Sequence, residues 1–239
     1  MEHQHTRDAI RQRLAAGPRP SYSRDWVYGG IDGIVTTFAI IAGVTGGRLA
    51  HGILLILGSA SVIADGFAMA AGNYLATRAE HDQRRYAEAI ERRHLEVAPE
   101  GERDEVREIL QGQLGVHDDL LDKMVAALTS NRERWLRVML THEYGLPDVV
   151  RSPWRAAGST FWAFVLCGVI PLLPFAAGLS HAFMVGAALS GLTFVVIGAL
   201  KSRWSIQRWW RSGLETLFIG GGAAVIAYAI GAWMRDLAG

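Results

Sequence analysis

Five apolar stretches decide what this chain can fold into. Crossing the hydrocarbon core of a bilayer takes about 20 mostly apolar residues, wound into a helix that satisfies its own backbone. The 239-residue sequence offers such stretches at about 30–47, 52–77, 158–178, 182–200 and 213–233. Half of the residues are hydrophobic and the mean hydropathy is +0.17, more apolar than an ordinary soluble domain. The predicted fold class is an all-α membrane protein with five transmembrane helices. The first and second stretches, and the third and fourth, are joined by a few residues each, so each pair is expected to form a helical hairpin.

Charge is partitioned along the chain. The net charge of +1 identifies no partner, but 16 of the 23 acidic residues fall between Glu80 and Asp148. The sequence therefore divides into a polar N-terminal segment (1–27), two transmembrane helices (28–78), an acidic helical insert (79–150) and three further transmembrane helices (151–239). Lys and Arg near the span ends set orientation. Arg7, Arg11, Arg13, Arg19 and Arg24 precede the first span, and Lys201, Arg203, Arg208 and Arg211 follow the fourth, whereas the short hairpin joints hold only Arg48. The N-terminus and the insert are thus expected on the cytoplasmic side, with Trp204, Trp209 and Trp210 in an interfacial belt. The first residues lack the apolar core of a secretory signal. Cys167, the single cysteine, is expected to be a core residue. The alanine- and arginine-rich composition points to a bacterial inner membrane, with a vacuolar membrane the counterpart in a eukaryote.

The insert reads as helices. AEHDQRRYAEAIERRHLEV runs on from the second span without a breaker, so one helix is predicted to leave the membrane and continue until Pro99 and Gly101 interrupt it. Helices are also predicted over ERDEVREILQGQLG, where Val106, Ile109 and Leu110 make a core stripe, over HDDLLDKMVAALTSN, and over NRERWLRVMLTHEYGL.

Two sets of residues carry chemistry. Within the second span Asp65, Met69 and Asn73 follow at four-residue steps and share one helix face, as Asp32 and Thr36 do in the first. A carboxylate in a bilayer costs a few kcal/mol even on lenient insertion scales, and such residues usually face a cavity or partner. No Lys or Arg lies inside a span to pair with Asp65. Oxygen ligands with a thioether suit a transition ion such as Fe(II) or Mn(II) rather than Mg(II) or Ca(II). A carboxylate that exchanges protons for metal would couple the two. In the insert, Glu102, Glu105 and Glu108 step by three and repel one another. Either Arg103 and Arg107 make this a solvated charged face, or the glutamates join Glu88, Glu91, Glu96, Met139 and Glu143 in a divalent-metal cage. Glu91-Arg-Arg-His94 is the one ExxH of the insert; di-iron bundles need two plus further glutamates. No phosphate-binding GxxxxGK[ST], CxxC or nucleophile–base pattern is present, so no enzyme class is expected.

The segments DGIVTTFAIIAGVTGG (32–47), ADGFAMAAGNYLATRAE (64–80) and SGLETLFIGGGAAVIAYAIG (212–231) resemble the signature segments of the vacuolar iron transporter (VIT) family. The resemblance extends over nearly the whole chain from about residue 25. It implies a homodimer that moves Fe(II), and Mn(II) in some members, out of the cytosol in exchange for protons. It places Asp32 and Met69 on the intramembrane metal positions, with Asp65 close by, and makes the insert a metal-binding domain. Glu105 and Glu108, preceded by Glu102, match one ExxE pair. Met139 and Glu143 match a Met-Met-x-x-Glu whose second methionine is Leu140 here. Glu96 matches the second member of an earlier ExxE whose first member is Arg93, with Glu88 and Glu91 as substitutes. The resemblance implies metal as substrate rather than a prosthetic group, the bilayer, divalent ions and protons as partners, and no nucleic acid. The alternative function is a membrane-anchored iron-binding or ferritin-like iron-oxidising protein.

Overall fold

The computed structural model describes residues 5–204 and 206–238. Among these the regular structure is helical throughout: α1 (Arg7–Ala16), α2 (Ser23–Gly46), α3 (His51–Val97), α4 (Pro99–Leu114), α5 (Asp118–Thr129), α6 (Arg132–His142), α7 (Pro153–Val169), α8 (Leu173–Ala176), α9 (Ala182–Lys201) and α10 (Trp209–Ala238). Five helical segments are long and apolar enough to cross a membrane: Ser23–Gly46, His51–Val97, Pro153–Ala176, Ala182–Trp204 and Trp209–Leu237. The expected five-span, all-α class is therefore observed. Two compact units are formed.

One unit comprises Ser21–Leu75 and the chain from Ser152 onward. Its centre is α2, which packs against α7, α9 and α10. Close approach explains the glycines: a Cβ on Gly33 would collide with the Phe164 carbonyl oxygen on α7, and one on Gly231 would collide with the Gly43 carbonyl oxygen. Within α3, Leu54, Gly58, Val62, Gly66 and Ala70 are buried at four-residue steps, while Ile56, Ile63 and Phe67 are exposed. The third span is not one regular helix. After α7 it tightens into a 3-10 turn at Ile170–Leu172 and resumes as α8. Pro171 and Pro174 lie in this break, where a ring in place of an N–H removes a helical hydrogen bond and crowds the carbonyl four residues earlier.

The other unit comprises the described residues up to Pro20 together with Ala76–Arg151. Its core joins Ala87 and Leu95 of α3 to Val106 and Leu110 of α4, Leu121 and Val125 of α5, and Trp135, Leu136, Met139 and Leu140 of α6. Helix α3 is unbroken from His51 to Val97, as its sequence predicts. Pro99 does interrupt it, but by opening the next helix: it occupies the first turn of α4, where a missing N–H leaves no bond unmade. Asn131 accepts from the Arg134 N–H at 3.0 Å and starts α6. Helix α1 is a local element in the polar N-terminal segment, begun by the Thr6 hydroxyl accepting from Ala9 N–H at 3.4 Å.

Candidate metal centre

The joint between α3 and α4 brings acidic side chains together. Only Ala98 separates the two helices. Glu91 and His94 occupy the last two turns of α3, one turn apart on the same face, and Glu102 sits in the first turn of α4. One ligand atom from each of Glu91, His94 and Glu102 lies within 4.8 Å of the other two. His94 Nδ1 is 3.4 Å from Glu102 Oε1.

The electrostatics of this cluster are unfavourable without a cation. Glu91 is 0% exposed and Glu102 4% exposed, yet both carboxylate oxygens of Glu91 and Oε2 of Glu102 have no hydrogen-bond partner. A buried charge in that condition is costly. Burial, and then the neighbouring carboxylates of Glu102, Glu143 and Glu105, push the Glu91 carboxyl up to about 8. Two ionised carboxylates have no proton between them, so either Glu91 takes up a proton, which it can share with Glu102, or a cation lies between them. Glu105 is also raised, by burial and then by Glu102. Glu143, which caps α6, is raised by burial, Glu105 and Glu102. The opposing influence on Glu105 and Glu143 comes from His94. Tyr144 is pushed up to about 12 by burial and the same four glutamates. Four carboxylates, an imidazole and a phenol therefore share one electrostatic site.

Other sequence-predicted residues lie elsewhere in this unit. Arg92 binds Glu88 and Glu133, both at 2.9 Å. Glu96 pairs with Arg132. Glu108 is exposed on α4, one turn beyond Glu105, and Arg93 is exposed on α3. Glu91 and His94, rather than Arg93 and Glu96, stand beside Glu102. Met139 is 0% exposed within the apolar core, and Leu140, at the departure from the methionine pair, is buried beside it.

In the membrane unit, Asp32 and Asp65 are both exposed on the surface of the chain, while Thr36 and Met69 are half-buried. Asp32 and Asp65 are close enough for their charges to interact. Asp65 accepts a hydrogen bond from the Ser61 hydroxyl one turn earlier. Asn73 faces inward. Its amide lies 3.1 Å from Asp25 Oδ1, 2.7 Å from Thr160 Oγ1 and 3.3 Å from the Ala156 carbonyl oxygen, tying α3 to the starts of α2 and α7.

Comparison with known proteins decides the family. A family model described as the VIT family matches residues 23–232. Vacuolar iron transporter 1 of Arabidopsis thaliana is 35% identical over 217 residues, covering 87% of this chain and 84% of its own length. Vacuolar iron transporter 1 of Tulipa gesneriana is 32% identical over 214 residues, covering 87% and 85%. The vacuolar iron transporter of Toxoplasma gondii is 30% identical over 232 residues, covering 91% and 76%.

The chain belongs to the VIT family.

The VIT match contains every candidate metal and path residue read from the sequence, from Asp32 to Glu143. His94 and Tyr144 are the members of the cluster that sequence reasoning assigned to no site. For His94 the signal was present as the one ExxH of the insert. Tyr144 gave none, because its place depends on how the turn after α6 returns to α3 and α4.

Proposed function

We propose that this chain carries divalent iron out of the cytosol across a membrane in exchange for protons, with Mn(II) as a second cargo, and that it works as a homodimer. The observation that carries transport is the pair Asp32 and Asp65. They are exposed carboxylates on helices long enough to span a bilayer, close enough to interact. A membrane anchor has no use for them, and lipid does not tolerate them uncovered. A second copy packed on this face would cover them and leave a polar path lined by Asp32, Asp65 and Met69, with Thr36 beside them. Relatives named as vacuolar iron transporters support iron as the cargo.

The insert collects the ion at Glu91, Glu102, Glu105 and Glu143, and the spans conduct it. Metal binding to a carboxylate releases its proton, so each ion that enters the path displaces protons. That is the physical basis for exchange. The distribution of Lys and Arg supports a cytoplasmic insert and N-terminus.

Proteoliposomes holding both an iron-sensitive and a pH-sensitive dye test this reading. Fe(II) added outside an acidic lumen should enter, and the lumen should lose protons in step. Iron that binds the membrane surface or is oxidised there, with none entering, would favour the anchored iron-binding alternative.

A further inference from the structure

We propose that His94 is a metal ligand that sets the selectivity of the α3–α4 centre, turning an acidic cage into a nitrogen–oxygen site that prefers borderline divalent transition ions to Mg2+ and Ca2+. This rests on the reading of the insert as the metal-collecting part of the chain.

The geometry leaves the two buried carboxylates of the centre without an arginine partner. Four arginines near it engage other carboxylates: Arg92 with Glu88 and Glu133, Arg103 with Glu100, Arg107 with Asp122, and Arg132 with Glu96. Glu91 is left fully buried with both oxygens unpartnered, and Glu102 with one. Each of these oxygens is a ligand in search of a positive charge. His94 Nδ1 stands 3.4 Å from the other Glu102 oxygen, and the three side chains bring ligand atoms within 4.8 Å of each other. The His94 side chain is 51% exposed, so packing does not dictate a histidine there.

Donor chemistry then sets preference. Mg2+ and Ca2+ are hard ions that take oxygen ligands, and an imidazole nitrogen is a poor substitute. Imidazole suits iron, zinc, nickel and similar ions, whose affinity for nitrogen-containing sites rises along the first transition row. An all-carboxylate cage here would bind abundant cytosolic hard cations well. A neutral imidazole in the ligand set lowers the site's charge and its fit to those ions while keeping a strong donor for Fe(II).

The test uses the full-length chain in lipid nanodiscs, stripped of metal and titrated separately with Mn2+, Co2+, Ca2+ and Mg2+ by calorimetry. Electron spin-echo measurements on bound Mn2+ read nitrogen coordination directly. The wild type should show 14N coupling and favour Co2+ and Mn2+ over Ca2+. His94→Gln should abolish that coupling and weaken Co2+ binding by about tenfold or more, since loss of even a supporting group around a ligand costs 10- to 100-fold. Its Ca2+ binding should change far less. His94→Glu should raise Ca2+ affinity and narrow the Co2+/Ca2+ ratio. Retained 14N coupling, or an unchanged Co2+/Ca2+ ratio in His94→Gln, would overturn the assignment while leaving the insert as a metal site. Separately, wild-type binding in the Glu91→Gln/Glu102→Gln double variant would overturn the insert reading itself.

Discussion

Glu91 couples the centre's function to the stability of the metal-free chain. Its carboxyl is raised from 4.5 to about 8 in the fold, first by burial and then by Glu102, Glu143 and Glu105. Between those two values the folded state holds a proton that the unfolded state has released. Stability must therefore fall as pH rises through that window. Glu105 and Glu143 shift in the same direction. The metal-free protein should thus melt at a lower temperature at pH 8 than at pH 5, and Glu91→Gln should flatten the slope. Mn2+ should raise the melting temperature most at the alkaline end. A melting temperature independent of pH would contradict the placement of Glu91. Asn73 gives a second prediction at this scale. Its amide is engaged by Asp25, Thr160 and the Ala156 carbonyl, so Asn73→Ala should lower stability by about 1–3 kcal/mol, the cost of stripping partners from buried polar groups. Thermal unfolding in detergent measures it.

At the scale of the helix, glycines separate close packing from composition. A Cβ on Gly33 meets Phe164 backbone, whereas one on Gly72 meets nothing within 4 Å. Gly33→Ala should destabilise the membrane unit by about 1–3 kcal/mol through overpacking. Gly72→Ala should be neutral or stabilising by up to about 1 kcal/mol, since alanine is the better helix former. Equal effects would contradict the α2–α7 contact. This scale also explains what the sequence could reveal. The spans and the long α3 were legible because apolar length and the absence of breakers are local properties. Pro99 was legible as a boundary, but its role as the first residue of α4 depends on Ala98 alone being the link. The glutamates were less legible. Glu102 and Glu105 were found by their spacing, yet Glu88 and Glu96 look the same in sequence. Glu96 is removed by pairing with Arg132, 36 residues further along the chain, whereas Glu88 is removed by Arg92 one turn away on the same helix. His94 carried a motif but needed Glu102, across a helix joint, to give it meaning. Asn73 shares a stripe with Asp65, and only the packing of α3 on α7 turns it inward.

For the whole molecule, transport as proposed needs a collecting centre in the insert and a path in the spans. The VIT family assignment rests on residues 23–232, and the path on Asp32, Asp65 and Met69. Met69→Ala and Asp65→Ala should each slow transport by at least about tenfold, equivalent to roughly 1.4 kcal/mol on the barrier. Variants at Glu91 and Glu102 should instead raise the metal concentration needed for half-maximal rate, because they weaken collection and leave the path intact. The most direct measurement is the initial rate of Fe(II) entry into dye-loaded proteoliposomes with an acidic lumen, comparing the wild type with Asp65→Ala at matched protein content. The account predicts rapid, gradient-dependent entry for the wild type and a rate near that of empty vesicles for the variant. Wild-type vesicles that admit no Fe(II), or an Asp65→Ala rate equal to the wild type, would contradict it.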